Sequence, residues 1–177
     1  MYFDELKRAM EWLAGHDDTI FLGQAVAVPG TAMSNTLTGI AQERLIEFPV
    51  AEEMQMGISL GLALAGQVPI SIYPRFNFLL LAMNQLVNHL DRIGQISNFG
   101  YSAKVIIRTS IGSERPLHPQ HQHVGDFTEA FRLMLGNIQV LRVEEPEDIF
   151  PAYRQAYERK DGQSTLIVEY GDYLSEK

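Results

Sequence analysis

The fold of this chain is decided by a stretch that begins Pro49-Val50-Ala51-Glu52, continues through Gly57-Ile58-Ser59-Leu60-Gly61-Leu62 and closes on Arg75-Phe76-Asn77-Phe78. In general form, it is a glutamate, four residues, a glycine, an apolar residue, two more residues, and a second glycine followed by an apolar residue. The first part predicts a strongly apolar helix that begins at Glu52, with Gly66 as a suitable C-terminal cap. A short run of strand-forming residues follows this helix, so the stretch predicts a helix-then-strand unit.

Outward from this stretch, helical and strand-like segments alternate along the whole chain. The predicted helices are Tyr2–Ala14, Glu52–Ala65, Asn77–Ile96, Asp126–Leu135 and Glu147–Arg159. The predicted strands are Thr19–Leu22, Arg44–Phe48, Val68–Tyr73, Lys104–Ser110, Gln139–Val143 and Ser164–Glu169. Such alternation predicts an α/β fold of three layers, in which a mostly parallel sheet is covered by helices on both faces. The length suits one domain over residues 1–177.

The composition is that of a globular protein and excludes several functions. Of the 177 residues, 46% are hydrophobic, 20% are charged and none is cysteine, which excludes disulfides and thiolate chemistry. The net charge of -8 argues against binding to nucleic acids or to anionic membrane surfaces. The N-terminus does not resemble a signal peptide, and no apolar run is long enough to span a bilayer. We therefore expect a cytoplasmic protein that binds neither nucleic acid nor membranes.

Three features of the central stretch each have an ordinary structural explanation when taken alone. Glu52 opens a helix, where a carboxylate suits the helix dipole. Gly57 and Gly61 share one helix face, which would allow a neighbouring backbone or a ligand to approach closely, and tight helix packing would explain them. Phe76 and Phe78 stand two apart at the predicted end of a strand, so they would share a face. That face would be either ordinary aromatic core or a flat stacking surface.

Taken together and in this order, these features resemble the pyrimidine-binding domain of thiamine-diphosphate enzymes. The resemblance is closest to the beta subunit of 2-oxo acid dehydrogenase E1 components and looser to the central domain of transketolase. It includes Gly66-Gln67-Val68-Pro69 and Gln85-Leu86-Val87-Asn88, and it runs without a gap from Pro49 to Asn88. The order of elements continues to about Glu169. One departure is Gln24, where the family usually has an acid.

The resemblance implies that Glu52 is both a catalytic and a cofactor-binding residue. A carboxyl partly buried against an apolar wall has a raised pKa, so it can hold a proton near neutrality. It would share that proton with the aminopyrimidine ring of thiamine diphosphate and so favour the ring's imino form, which activates the thiazolium carbon. Phe76 and Phe78 would stack on the pyrimidine, and Gly57 and Gly61 would let the cofactor approach.

A histidine-rich segment, His118-Pro119-Gln120-His121-Gln122-His123, lies in the aperiodic stretch Gly112–Gly125, which is typical of a functional loop. Transketolase-like enzymes place a histidine in this loop near the substrate. The matching position is His123, with His121 as the second candidate, and either could protonate or orient a substrate oxygen. Two alternatives stay open. One is a metal site at His121 and His123, for which no third acidic ligand is evident, and the other is a solvated loop without catalytic role.

The chain lacks the motif with which this family holds the diphosphate of the cofactor. That motif is Gly-Asp-Gly followed downstream by Asn-Asn, and it acts through a magnesium ion. The pairs Gly125-Asp126 and Gly171-Asp172 lack the third glycine. We therefore expect a separate diphosphate-binding partner, similar to an E1 alpha subunit, that holds Mg²⁺ in an α2β2 assembly. The C-terminal domain of E1 beta subunits and transketolases is also expected to be absent.

The sequence thus predicts the pyrimidine-binding subunit of a split thiamine-diphosphate enzyme. Its reaction would be decarboxylation of a 2-oxo acid or transfer of a two-carbon ketol unit from a ketose. Self-association is also expected, through the smooth Gly57/Gly61 face and the apolar start of the Asn77 helix. Two alternatives remain: a non-catalytic structural or regulatory subunit, consistent with Gln24, and an unrelated α/β domain that binds a small metabolite. The lack of a Gly-x-Gly-x-x-Gly turn after the first strand argues against nucleotide binding.

Overall fold

Six strands form the central sheet of the computed structural model, which describes residues 1–28, 30–112 and 118–172. In chain order they are β1 Thr19–Gly23, β2 Leu45–Glu47, β3 Val68–Tyr73, β4 Ile106–Ile111, β5 Gln139–Arg142 and β6 Thr165–Tyr170. Across the sheet the order is β2-β1-β3-β4-β6-β5, and every neighbouring pair is parallel. The predicted α/β fold with a parallel sheet is therefore confirmed.

Helices cover both faces of this sheet. They are α1 Tyr2–Ala14, α2 Ala32–Asn35, α3 Glu52–Leu64, α4 Phe76–Leu79, α5 Ile93–Ile96, α6 Thr128–Met134 and α7 Pro146–Glu158, with 3-10 turns at Gln42–Arg44 and Leu80–Ala82 and a π-helix at Asn84–Leu90. On one face α1 and α7 enclose a core, and on the other α3, the π-helix and α6 enclose a second. None of the helices that the structure describes has the length and apolarity to span a membrane.

The central strands are buried on both faces, which explains why they are continuous apolar runs in the sequence. In β4, Ile106 belongs to the core beneath α1 and α7, and the next residue, Ile107, belongs to the other core. Successive side chains of a strand point to opposite faces, so a sheet sandwiched between helices needs apolar residues at both positions.

The prediction of one continuous α-helix over Asn77–Ile96 is wrong. The segment begins at Phe76 and passes through α4, a 3-10 turn and the π-helix before it ends in the short α5. Leu86 and Leu90 both lie in the core, and Asp91 lies beside the turn before β5, where its carboxylate accepts the N–H of Asn137 at 2.8 Å. The run has no glycine or proline before Gly94, so its sequence carried no sign of these changes.

The topology brings three loops to the carboxyl edge of the sheet. Strand β1 lies between β2 and β3, so the chain moves toward one edge after β1 and toward the other after β3. Ligands of open α/β sheets bind outside the carboxyl ends of the strands at such a switch point. The start of α3 follows β2, α4 follows β3, and the histidine segment follows β4. Residues 113–117 of the predicted functional loop Gly112–Gly125 lie outside the described part of the chain.

Candidate functional site

Glu52 is the first residue of α3 and lines an open cleft together with Gly57, Leu81 and Gln85. The residue is only 8% exposed. Nevertheless, among the residues that the structure describes, none donates a hydrogen bond to its carboxylate or forms an ion pair with it. A poorly solvated carboxylate without a protein partner is costly unless another group satisfies it. This carboxylate is therefore available to a ligand in the cleft.

A buried polar network beneath α3 fixes the helix, and with it Glu52, against the sheet. The Gln55 side chain donates to the carbonyl of Ile72 at 2.9 Å and lies 3.1 Å from the hydroxyl of Ser71. Tyr73 completes the network by donating to the backbone carbonyl of Glu52 at 3.4 Å. Burial, with the nearby Glu52 charge as a smaller cause, raises the pKa of Tyr73, so its hydroxyl stays a donor.

Sequence reasoning missed this network, although it left a signal. Gln55 and Ser59 are spaced four apart in an otherwise apolar helix, and both are buried. Polar residues repeated at helical spacing on a buried face predict a partner on the facing element. That partner is Ser71, whose hydroxyl lies 2.9 Å from that of Ser59.

The neighbouring Glu53 has a different environment. It is exposed, and its carboxylate accepts hydrogen bonds from Asn84 at 3.0 Å and Gln85 at 3.4 Å. It therefore links the first turn of α3 to the π-helix. The two adjacent glutamates thus differ in whether they are available to a ligand. The carboxylate of Glu53 is hydrogen-bonded within the protein, whereas that of Glu52 is not.

Gly57 and Gly61 lie on one face of α3, but internal packing does not require either of them. A methyl group at Gly57 would make ordinary contact with the Gln85 side chain at 3.7 Å, and one at Gly61 would meet nothing within 4 Å. The explanation by tight helix packing within the chain is therefore wrong for Gly61, which faces open space. The backbone of α3 at Gly61 is therefore accessible from outside the chain.

The prediction that Phe76 and Phe78 form one stacking surface at a strand end is wrong. Arg75 is still extended, but Phe76 already begins α4, and helical residues two apart point in different directions. Phe76 is 1% exposed and packs into the core against Phe127 and Phe131, with ring centroids 5.5 and 4.8 Å away. Its ring is therefore not accessible to a cofactor.

Phe78, in contrast, is partly exposed and contacts the histidine segment. Its ring centroid lies 5.0 Å from that of His123. His123 has a left-handed backbone with φ of 60°, and its Nδ1 is buried without a hydrogen-bond partner among the described residues. A strained backbone and an unsatisfied buried nitrogen are typical of a functional position. The other candidate, His121, is exposed.

One hydrogen bond orders the start of the histidine segment, and another ties the residues just after it to α4. Gln120 donates its N–H to Nδ1 of His118 at 2.8 Å, and Gly125 donates to the side-chain oxygen of Asn77 at 3.1 Å. Within the described ranges, no three histidine, aspartate or glutamate side chains are grouped so that they could hold a metal ion.

A fourth loop at this edge, which follows β1, is fixed by Glu47, a residue that sequence reasoning did not select. Its carboxylate accepts the N–H groups of Ala25, Val26 and Ala27 at 2.5, 2.9 and 2.8 Å. Ala25 adopts φ of 57°, which points successive amides at one anion. The contact shapes the loop beside Gln24, and nothing in the local sequence indicated it because the partners lie about twenty residues apart.

A parallel sheet that gathers an unpartnered carboxylate, an accessible aromatic ring and a histidine at its carboxyl edge is typical of an α/β ligand-binding domain. The chain belongs to a family of thiamine-diphosphate enzymes, because residues 2–173 match the family described as "Transketolase, pyrimidine binding domain". The predicted resemblance is thus confirmed, and the alternative of an unrelated metabolite-binding domain is wrong.

Individual relatives agree with this membership. The pyruvate dehydrogenase E1 component subunit beta of Gracilaria tenuistipitata var. liui is 30% identical over 174 residues, covering 96% of this chain and 52% of that protein. The 2-oxoisovalerate dehydrogenase subunit beta of Bacillus subtilis is 28% identical over 115 residues, covering 63% and 35%. This chain therefore spans about half of the first relative's length and about a third of the second's.

Solved structures share the fold. One titled "Split gene transketolase, inactive beta4 tetramer" superposes with a TM-score of 0.68 at 16% identity, covering 95% of this chain and 51% of that chain. A second, a thiamin diphosphate-dependent enzyme described as putative and isolated from Mycobacterium smegmatis, superposes with a TM-score of 0.61 and covers 94% and 30%.

Proposed function

We propose that this chain supplies the pyrimidine half of a thiamine-diphosphate site and acts, together with a partner, on a 2-oxo acid or a ketose. Membership of the family supports thiamine diphosphate as the cofactor, and the names of the E1 beta relatives favour a 2-oxo acid as the substrate. The observation that carries the proposal is the Glu52 carboxylate, which lines a cleft at the carboxyl edge without a protein partner.

The described residues fit the pyrimidine part of this cofactor. Glu52 would hold a proton at the aminopyrimidine ring, and Phe78 would offer the aromatic surface that Phe76 cannot. His123 would orient or protonate an oxygen of the substrate through its buried, unsatisfied nitrogen. When bound, the cofactor would supply the carbon nucleophile of the reaction.

The other half of the site is proposed to come from a diphosphate-binding chain that holds Mg²⁺. Two observations support a partner. The chain has no Gly-Asp-Gly motif, and the surface at the cleft, formed by α3 and the 3-10 turn Leu80–Ala82, is apolar and exposed. We call this surface the α3 patch; it comprises Met54, Ile58, Gly61 and Leu81, and its three side chains are 47%, 41% and 62% exposed. Exposed apolar clusters of this kind mark protein interfaces.

The proposal is tested by replacing Glu52 with glutamine in the assembled enzyme. The assembly is isolated through a tag on this chain, and hydrogen-deuterium exchange at the thiazolium C2 is measured alongside turnover. Glu52→Gln should slow exchange by ~100- to 10,000-fold, because an amide cannot share a proton with the ring. Since the Glu52 carboxylate has no protein partner, the unfolding free energy should change by less than about 1 kcal/mol.

Glu53→Gln is the matched control. Its amide oxygen can still accept the hydrogen bonds from Asn84 and Gln85, so exchange and turnover should stay at the wild-type level. If Glu52→Gln exchanges as fast as the wild type, Glu52 is only a helix-start charge and the proposal fails. If the wild-type assembly binds the cofactor but shows neither exchange nor turnover, the chain is a non-catalytic subunit. That is the alternative with which Gln24, in place of the family's usual acid, is consistent.

A further inference from the structure

A separate cavity lies at the opposite edge of the sheet from Glu52. It has a volume of about 360 Å³ and is enclosed by α5, the segment leading into β4, the turn before β5 and the turn before β6. Ala103 and Ser164, which line it, stand just before the amino ends of β4 and β6. A volume of this size lies within the range of small-molecule pockets, roughly 300–1,000 Å³.

One wall of the cavity presents two aromatic rings on a strained turn. Asn98 and Phe99 both adopt left-handed backbone conformations, with φ of 52° and 60°, although neither is glycine. The turn is closed by a hydrogen bond from Phe99 N–H to the carbonyl of Gly94 at 2.6 Å. Phe99 is 81% exposed and Tyr101 is 65% exposed. Strain that holds a large aromatic ring in solvent is not explained by core packing and is characteristic of ligand-binding segments.

The charged groups of the cavity are already neutralised within the protein. Asp91 forms an ion pair with Arg92 at 3.5 Å and accepts the N–H groups of Asn137 and Ile138 at 2.8 and 3.1 Å. Asp161 forms two hydrogen bonds with Arg159, which lowers the pKa of Asp161 to about 2 and keeps it ionised and paired. Among the described residues that line the cavity there is no lysine, arginine or histidine. A phosphate or a cationic ligand would therefore find no free counter-charge.

Several of the remaining side chains in the cavity can donate hydrogen bonds. The side-chain oxygens of Gln95 and Gln163 accept from Arg92 at 3.3 Å and Arg159 at 2.9 Å, which leaves both amide NH₂ groups available. The hydroxyl of Tyr101, which also lines the cavity, has no partner among the described residues. A complementary ligand would carry several acceptors on a flat, uncharged frame.

We propose that this cavity binds an uncharged planar heterocycle of the nucleobase or nucleoside class. The ring would stack on Phe99 and Tyr101, and its carbonyl and ring-nitrogen acceptors would receive hydrogen bonds from Gln95 and Gln163. The site lies across the sheet from the cleft at Glu52 and is independent of the proposed catalytic function.

The test is titration of the purified full chain with adenosine, guanosine and uridine, followed by calorimetry and by amide shifts in NMR spectra. Binding of at least one nucleoside is expected, with shifts concentrated in residues 94–103 and 161–164. Inorganic phosphate and choline serve as charged probes and should not bind there. Absence of nucleoside binding at millimolar concentration would overturn the proposal, as would equal binding of the charged probes in the cavity.

Phe99→Gly gives a variant that separates binding from folding. Glycine tolerates the left-handed backbone, so the variant should unfold at a temperature no lower than the wild type while losing at least tenfold in nucleoside affinity. Leu133→Ala is the control, because Leu133 is 90% exposed on α6 and does not line the cavity; its affinity should be unchanged. Wild-type affinity in Phe99→Gly, or an equal loss in Leu133→Ala, would contradict the assignment.

Discussion

Arg108 on β4 and Glu169 on β6 are both fully buried, and their side chains are joined by two hydrogen bonds of 2.7 and 3.0 Å. Thr36 accepts a further hydrogen bond from Arg108 at 2.8 Å, and Tyr153 on α7 donates to Glu169. The pair thus joins two central strands to α7 and to the loop after α2. Burying both charges is costly, so the pair itself adds little to stability. Removing one partner would be strongly destabilising, because the other charge would stay buried without compensation.

Arg108→Leu should therefore lower the unfolding free energy by about 3–5 kcal/mol, because it leaves the buried Glu169 carboxylate without its positively charged partner. Denaturant unfolding monitored by circular dichroism measures the change. Arg154→Ala removes an exposed pair with Glu158, at 2.9 Å in the structure, and should cost less than about 1 kcal/mol. Similar losses in the two variants would show that burial does not govern the strength of these pairs.

The two candidate histidines make a second prediction at the scale of residues. In the assembled enzyme, His123→Ala should slow a substrate-dependent step by ~100-fold or more and leave exchange at the cofactor's C2 largely unchanged. His121→Ala should be near-silent, since His121 is exposed whereas His123 contacts Phe78. Turnover and exchange are measured on the same preparations. If turnover is slow in His121→Ala and at the wild-type level in His123→Ala, the role belongs to His121 instead.

Individual site residues could be predicted from sequence only where a motif identified them. Glu52 and His123 were selected because they stand at the positions that match the family pattern which the sequence resembles. Glu47 and Gln55 were missed because their roles depend on backbone groups that the fold brings to them. Phe76 was misjudged because the direction of a side chain depends on whether its residue ends a strand or begins a helix.

At the scale of elements, the boundaries of α1, β3 and α3 were predicted to within one residue, because glycine, proline or a change in hydrophobic period marks their ends. The π-helix Asn84–Leu90 could not be predicted. The spacing of apolar residues does not distinguish an α-helix, whose backbone hydrogen bonds join residues four apart, from a π-helix, whose bonds join residues five apart. No proline or glycine interrupts this run to mark the change.

Helix α3 offers a test of what its second glycine does. Gly61→Ala should raise the unfolding free energy of the monomer by about 0.5–1 kcal/mol, since glycine is a poor helix former and the added methyl meets nothing within 4 Å. The same methyl projects from the α3 patch, so self-association should weaken. Denaturant unfolding of the dilute chain and light scattering at high concentration measure the two effects.

Gly66→Ala is the comparison for this test. Gly66 follows α3 with φ of 92°, so alanine there should cost about 1 kcal/mol through backbone strain and leave self-association unchanged. If Gly61→Ala stabilises the monomer and the variant self-associates as tightly as the wild type, the α3 patch is not the surface through which the chain self-associates. A strictly monomeric wild type at high concentration would contradict self-association altogether.

At the scale of the whole molecule, the alternation of helices and strands predicted the sheet because parallel strands require crossover helices. It could not predict which loops meet. The carboxyl edge joins the start of α3, α4 and the histidine segment, although these are separated by up to about seventy residues of sequence. It presents a carboxylate, an aromatic ring and a histidine, which we propose act on a pyrimidine ring and a substrate. The chain has no Gly-Asp-Gly motif for the cofactor's diphosphate.

This division predicts that the chain alone binds thiamine diphosphate weakly. Most of the charge of the cofactor lies in its diphosphate, and a chain of net charge -8 that lacks the diphosphate motif would repel it. Calorimetry with cofactor and Mg²⁺ should give an affinity weaker than ~100 µM for the isolated chain, equivalent to less than about 5.5 kcal/mol. The assembly isolated through a tag on the same chain should bind far more tightly, and the chain that accompanies it should carry Gly-Asp-Gly followed by Asn-Asn. Micromolar binding by the isolated chain would mean that it holds the diphosphate itself, and the proposal of a divided site would then be wrong.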